Sequence, residues 1–419
     1  MKYWKKVEPD NQRKIIMDAL DQNINYKNRT SLGVPGSRLD NRVFYDQASF
    51  LKEAPYLQAI VQNPNHIGCH TLGDSEPYFA GTQKIEQEVI QLIAHDILHA
   101  KDHSIDGYLA SGGTEANIQA CWMYRNFFIE EEGLKHSEIG IICSEDTHYS
   151  ISKASNLLNI PLFKINVDFN TRQIQASHLE KTLLEIKKQG IKRLIVIANM
   201  GTTMFGSVDN PYLYDEYLNK FKIPYKLHVD AAFGGFIYPI VNPEASKKLT
   251  FHNPKVDSIT LDAHKMLQAP YGTGIFLTRK NQIQSVNTLD AQYVNGLDLT
   301  LIGSRSGANA ISVWMILQTY GPYSWKEKLN ILLYRTTQLC EALDQLNIEY
   351  FREDSMNIIT IKADEIPAHI AESYGLVPDT HESEVKWRKI VIMDHVEMEL
   401  IHEFVDLISL NTIPSKQSS

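Results

Sequence analysis

Ser258-Ile-Thr-Leu-Asp-Ala-His-Lys265 is a short apolar run that ends in a histidine and a lysine. A lysine in that place is expensive to desolvate. It is either a surface residue just past a strand end, or an amine kept partly dry so that it can form a Schiff base with an aldehyde. Thirty-five residues before Lys265, His228-Val-Asp-Ala-Ala-Phe-Gly-Gly235 places Asp230 at the end of another apolar run. That spacing fits one strand, one crossover and the next strand, so both residues can reach the same edge of a sheet. A carboxylate there needs a cationic partner, and a protonated pyridine nitrogen is one. The competing reading is an ordinary strand-end aspartate capping a turn. Ala231 and Ala232 leave room for a flat ring, and Gly234 and Gly235 permit close approach.

Working outward, the middle of the chain alternates short apolar runs with amphipathic segments, the pattern of a mostly parallel sheet. The predicted strands are Asp106–Ala110, Ile139–Ser144, Leu162–Val167, Arg193–Ala198, Lys226–Asp230, Ser258–Leu261 and Gly274–Leu277. Polar residues follow several of them, where an open α/β sheet binds its ligands. Ala110-Ser-Gly-Gly-Thr-Glu-Ala-Asn117 is a tight turn entering a helix. Its glycines let backbone amides converge, and Ser111 and Thr114 add hydroxyls, which makes a phosphate cradle. It has neither the Walker lysine nor the dinucleotide spacing. Asp146-Thr-His-Tyr-Ser150 supplies His148, which can stack on a heteroaromatic ring or be merely structural. Asn199-Met-Gly-Thr-Thr203 supplies Thr202.

Helices are expected over Pro9 to Ala19, Thr82 to His99, Ala308 to Tyr320 and Ser324 to Leu346. Beyond them, short strands (Asn357–Ile361, Lys389–Ile392) mix with helices (Ile366–Tyr374, Val396–Ile408), a compact α+β unit. The residues Pro414–Ser419 read as a frayed tail. The expected division is an N-terminal segment (1–80), a large domain (81–300) and a small C-terminal domain (301–419).

The bulk properties exclude other classes. With 41 Lys and Arg against 50 Asp and Glu, the net charge is −9 over 419 residues, so no basic surface dominates and nucleic acid is not an expected partner. The four cysteines (Cys69, Cys121, Cys143, Cys340) have no metal-ligand spacing and read as reduced thiols; no metal is expected. No apolar run has membrane-spanning length and no leader is seen, so the expected location is the cytoplasm.

Taken in order, phosphate turn, His148, Thr-Thr, Asp230 and His-Lys each follow a predicted strand. This series resembles the group II pyridoxal-phosphate-dependent amino acid decarboxylases, above all the bacterial histidine and archaeal tyrosine/aspartate decarboxylases. Gly303-Ser-Arg-Ser-Gly307, opening a helix, adds to the likeness. The resemblance implies the aspartate-aminotransferase-like (type I) fold, with pyridoxal 5'-phosphate bound covalently to Lys265. It makes His264, Ser111, Gly113 and Thr114 phosphate contacts, Asp230 the pyridinium partner and His148 the ring stacker. Ala232 and Thr202 would line the ring. It implies a homodimer with the active site at the subunit interface, where Gly303-Ser304 reaches the partner's phosphate. The expected reaction is loss of the α-carboxyl group of an L-amino acid, with Tyr293 as a candidate proton donor at Cα or simply one of 20 packing tyrosines. His70, Tyr78 and Phe79 are candidate substrate contacts. The competing readings are a carbon–carbon lyase or an aminotransferase on the same fold, and a non-catalytic scaffold that binds the cofactor.

Overall fold

The computed structural model describes residues 32–33, 40, 42–43, 56, 59–60, 63–72, 79–291, 297–381 and 384–411. The helix expected over Pro9 to Ala19, the tail Pro414–Ser419, Tyr78 and Tyr293 lie outside the described residues.

Seven strands form the large sheet: β1 (Ile105–Ala110), β2 (Ile139–Ser144), β3 (Leu162–Ile165), β4 (Arg193–Asn199), β5 (Tyr225–Asp230), β6 (Val256–Asp262) and β7 (Gly274–Arg279). Their spatial order is β1-β7-β6-β5-β4-β2-β3. Each predicted strand is present within two residues at either end. β7 pairs antiparallel with both β1 and β6, while the remaining neighbours pair parallel. Six strands therefore share one direction, and the carboxyl ends of β1, β2, β4, β5 and β6 open on the same edge. The mostly parallel α/β architecture expected from the sequence is the one observed.

The strands read as unbroken apolar runs because both faces are covered. Ile139, Ile141 and Cys143 of β2 pack into one buried cluster, whereas Ile142 packs into the other. Side chains that alternate in direction along one strand thus meet apolar partners on both sides. Each such Ile or Leu contributes about 1.5–3 kcal/mol by burial.

The major helices are α1 (Ala80–Leu92), α2 (Gly113–Glu130), α3 (Ser150–Leu158), α4 (Ala176–Lys188), α5 (Pro211–Phe221), α6 (Gly307–Gln345), α7 (Ala368–Ser373) and α8 (Met398–Asn411). The helix expected over Thr82 to His99 is regular only to Leu92; one wide turn, Ile93–Ile97, completes it. α6 contains both helices expected between Ala308 and Leu346. Gly321, at φ 59° and ψ 178°, breaks it before Pro322. Proline removes a helical N–H and excludes its predecessor from helical geometry, so two helices abut with almost no loop.

α6 also joins the two sheets. Val313 and Ile316 lie in the core of the large sheet, while Leu339 and Leu343 lie in a separate cluster with Ile359, Ile390 and Phe404. That cluster backs a four-stranded antiparallel sheet, ordered β10 (Val377–Pro378), β11 (Trp387–Val391), β9 (Ile358–Lys362) and β8 (Tyr350–Arg352). Among the described residues no helix is long and apolar enough to cross a membrane.

Candidate active site

Five loops leave the shared strand edge and converge. A cavity of about 330 Å3 is lined by Ser111, Gly113 and Thr114 after β1, His148 after β2, Ala232 after β5, and Asp262, His264 and Lys265 at the end of β6. A narrower hollow lined by His148, Thr202, Thr203, Asp230, Ala232 and Lys265 adjoins it. The larger volume lies within the usual range for small-ligand clefts, about 300–1,000 Å3. The structure thus brings together Ser111, Gly113, Thr114, His148, Thr202, Asp230, Ala232, His264 and Lys265.

At the end of the cavity beside α2, no side chain caps the helix's amino terminus, whose first amides lack helical partners by construction. Glu115 instead folds back to accept from Ser111 N–H at 2.6 Å. The cradle depends on missing side chains. A Cβ on Gly113 would lie 2.8 Å from Asp262 Oδ2, and one on Gly274 would lie 2.4 Å from the Gly112 Cα. Nearby, His264 Nδ1 and Asp262 Oδ1 are buried without a hydrogen-bond partner. Buried polar atoms of that kind call for a ligand.

At the other end, Asp230 is 6 % exposed. It accepts from Ala232 N–H at 3.1 Å and from Asn117 Nδ2 at 2.8 Å. His148 Nδ1 lies 2.9 Å from Ser150 Oγ, and burial pushes the imidazole below its ordinary pKa. Thr202 is held by Ser207, hydroxyl to hydroxyl at 2.7 Å, which fixes the turn that carries Thr203. Lys265 Nζ lies 3.1 Å from Asp262 Oδ2, so Asp262 points into the cavity.

Two expected substrate contacts are elsewhere. The His70 ring meets His66 edge-on, with centroids 5.8 Å apart, and burial drives its pKa down to about 4. Phe79 precedes α1. Neither lines either cavity. The loop that carries His70 is instead tied down by Arg305, which pairs with Glu86 and donates to the carbonyls of Gly68 and Leu109. Arg305 of the Gly303–Gly307 segment is therefore a buried clamp, while Gly303 and Ser304 beside it are exposed.

Three polar residues at the site escaped the sequence reading. Asn117 and His228 form a hydrogen-bonded pair behind Asp230. Lys389, on β11 of the small sheet, is 4 % exposed and donates to Thr203 O at 3.1 Å. Burial first, then the charge of Lys265, pushes its pKa down to about 8. Asn117 and His228 each stand inside a motif visible in the sequence, without a role assigned there; Lys389 carries no local signal.

Residues 65–360 match the family model described as the pyridoxal-dependent decarboxylase conserved domain. The chain is 53% identical over 405 residues to the tryptophan decarboxylase of Clostridium sporogenes, covering 97% of each. It is 32% identical to a probable L-tyrosine/L-aspartate decarboxylase of Methanocella arvoryzae, over 84% of this chain and 92% of that one. Among solved structures, the Catharanthus roseus tryptophan decarboxylase superposes with a TM-score of 0.78 at 17% identity, covering 98% of this chain and 89% of that one. At that identity the likeness shows the fold.

Proposed function

The chain belongs to the pyridoxal-dependent decarboxylase family, and we propose that within it the substrate is an aromatic L-amino acid, tryptophan foremost. The observation that carries this is the 53% identity, along 97% of both chains, to a tryptophan decarboxylase. The reaction itself, pyridoxal-phosphate-dependent removal of the α-carboxyl group of an amino acid, is that of the family. Lyase and aminotransferase chemistry have no such support.

The donor set fits the cofactor. The open amides of α2, with Ser111, Thr114 and His264, would hold its phosphate, with Gly113 leaving the space. Lys265 would hold its aldehyde carbon, Asp230 its ring nitrogen, and His148 and Ala232 its two faces, with Thr202 at the edge. When bound, the cofactor supplies an aldehyde for the substrate amine and a ring that takes up the electron pair left by departing CO2. Asp230 would keep the proton on the ring nitrogen, because a buried carboxylate beside a cation favours the charged pair. Lys389 would supply the cation for the substrate's α-carboxylate: it is buried, has no acidic partner among the described residues, and donates to the turn that lines the hollow. Tyr293 remains the proposed donor of the proton to Cα, on the strength of its place between β7 and α6.

Three further assignments belong to this proposal. The enzyme works in the cytoplasm as a homodimer, supported by the resemblance and by exposed Leu297, Leu301 and Ile302 beside Gly303 and Ser304. His70 and Phe79 recognise the substrate side chain only through a rearrangement or a partner subunit, and Tyr78 stays a proposed substrate contact. The division at residues 80 and 300 is supported by the large-sheet strands lying between Ile105 and Arg279, and the small-sheet strands between Tyr350 and Val391.

The test is amine and CO2 release by the purified holoenzyme over the twenty amino acids. Tryptophan should lead, followed by tyrosine or phenylalanine. CO2 from an acidic or aliphatic amino acid, and none from tryptophan, overturns the substrate.

A further inference from the structure

Asn117 sits on α2, 1 % exposed, four residues past the start of the phosphate turn's helix. Its side-chain amide touches three residues on two elements, His228 and Asp230 of β5 and Ser150 of α3. Nδ2 donates to Asp230 Oδ2 at 2.8 Å and to Ser150 Oγ at 2.9 Å, and Oδ1 faces His228 Nε2 at 2.9 Å. The orientation of the amide is forced, because an ionised carboxylate only accepts. Turning the amide over would set Oδ1 against Asp230.

Every proton behind the site then has one place. Oδ1 needs a donor, so His228 carries its proton on Nε2, where Thr260 Oγ1 at 3.2 Å can accept as well. Burial keeps that imidazole neutral, at about 4. Its Nδ1 accepts from Ser258 Oγ at 2.7 Å, and Ser258 in turn accepts from the Tyr124 hydroxyl at 2.5 Å. On the other branch, Ser150 Oγ already accepts from Asn117. Ser150 N–H donates to His148 Nδ1 at 3.3 Å, so that nitrogen is an acceptor, and the Ser150 hydroxyl gives its own proton to it at 2.9 Å. His148 Nδ1 is therefore bare, and its N–H is at Nε2, the nitrogen left to the cavity.

We propose that Asn117 is a positioning residue that joins Asp230 and His148 into one unit, aiming the carboxylate and fixing the tautomer of the histidine. The inference rests on the reading of those two residues as the groups that face the cofactor. It explains why an amide stands at this point of the helix: only an amide offers two donors and one acceptor from a single planar group. A carboxylate would oppose Asp230, and a hydroxyl is one proton short.

The test reads protons directly. In the full-length chain labelled with 15N-histidine, with His148→Gln to assign the signals, His148 should show an unprotonated Nδ1 and a protonated Nε2. In Asn117→Leu, which frees the Ser150 hydroxyl to turn, and in Ser150→Ala, which leaves only the long Ser150 N–H contact at 3.3 Å, His148 should shift toward a mixture of tautomers. In the holoenzyme, Asn117→Leu should lower kcat roughly tenfold or more at little change in KM, the scale of one hydrogen bond lost to a charged group. A proton on Nδ1 in the unaltered chain overturns the proposal, as does an unchanged tautomer in either variant. If Asn117→Leu does not fold, the unaltered chain and Ser150→Ala still decide. Failure of the cofactor reading looks different: Asp230→Asn holoenzyme would then keep the unaltered visible spectrum, whatever the histidine shows.

Discussion

Lys265 Nζ and Asp262 Oδ2 are 3.1 Å apart, an ion pair formed between two residues of one turn at the end of β6. The pair holds the amine at the mouth of the phosphate cradle, where the other carboxylate oxygen, Oδ1, is buried without a partner. Lys265→Ala keeps the cradle but removes the proposed covalent anchor. It should bind added cofactor reversibly, lose it on dialysis, and release no CO2. An absorbance spectrum before and after dialysis checks this; a visible band that survives dialysis would assign the anchor to another amine.

Asp230→Asn removes the charge proposed to face the ring nitrogen while keeping the shape of the side chain. Removing one partner of a buried ion pair costs about 3–5 kcal/mol, so kcat should fall by roughly 10^2–10^4-fold. Substrate-induced spectral changes report binding separately, and should persist. Near-normal turnover removes Asp230 from the mechanism.

Gly113→Ala fills the cradle. The new Cβ would meet Asp262 Oδ2 at 2.8 Å and Ala232 Cβ at 3.2 Å. The chain should still fold, since alanine favours a helix over glycine by about 0.5–1 kcal/mol. The amount of cofactor bound after gel filtration should drop sharply. Full retention would show that the phosphate sits elsewhere.

Lys389 makes the pH dependence specific. Its pKa is about 8 in the folded chain against an ordinary 10.5. Between those pH values the unfolded chain holds a proton that the folded chain has shed, so stability rises with pH across that window. The cost of the buried cation is complete below pH 8. Lys389→Met should therefore be more stable at pH 7, by up to about 3 kcal/mol, and should lose this rise. If Lys389 also receives the substrate carboxylate, the same variant should show a raised KM, and the KM of the unaltered enzyme should climb above pH 8. Urea melts at pH 7 and 10, paired with initial rates, test both halves; parallel pH profiles for the two proteins would refute the assignment.

Arg305→Met strands Glu86 in the core. Burial pushes the Glu86 carboxyl up, but the Arg305 guanidinium and His66 outweigh it and hold it well below the usual carboxylate range. A depressed acid stabilises the fold above its unfolded pKa, near 4.5, and that contribution fades as pH falls through the folded value. The variant should lose about 3–5 kcal/mol at pH 7, and the gap should narrow below about pH 4.5. Denaturant melts at the two pH values measure it. A small loss at pH 7 would mean that the clamp is not what holds residues 66–70 against β1.

The strands were legible because their periodicity is local. Ile139–Ser144 is an unbroken apolar run until its terminal serine, and no distant segment is needed to recognise it. The phosphate turn, Asp230 and Lys265 were legible for a related reason: each is a polar or glycine interruption directly after such a run, where strand ends and ligand sites coincide. Arg305 was visible but its work was not, because a guanidinium at a helix start looks the same whether it meets a phosphate or a buried glutamate.

The amino-acid order by itself determined the sheet, the edge at which chemistry collects, and the residues that stand on that edge, since backbone periodicity and side-chain size act within a few positions. Tertiary structure alone decided how the buried polar groups are satisfied: Asn117 meets His228 across 111 residues, and Lys389 reaches Thr203 across 186. A hydrogen bond between distant segments belongs to neither one separately. It exists only once packing has excluded water from both partners and left each no other choice.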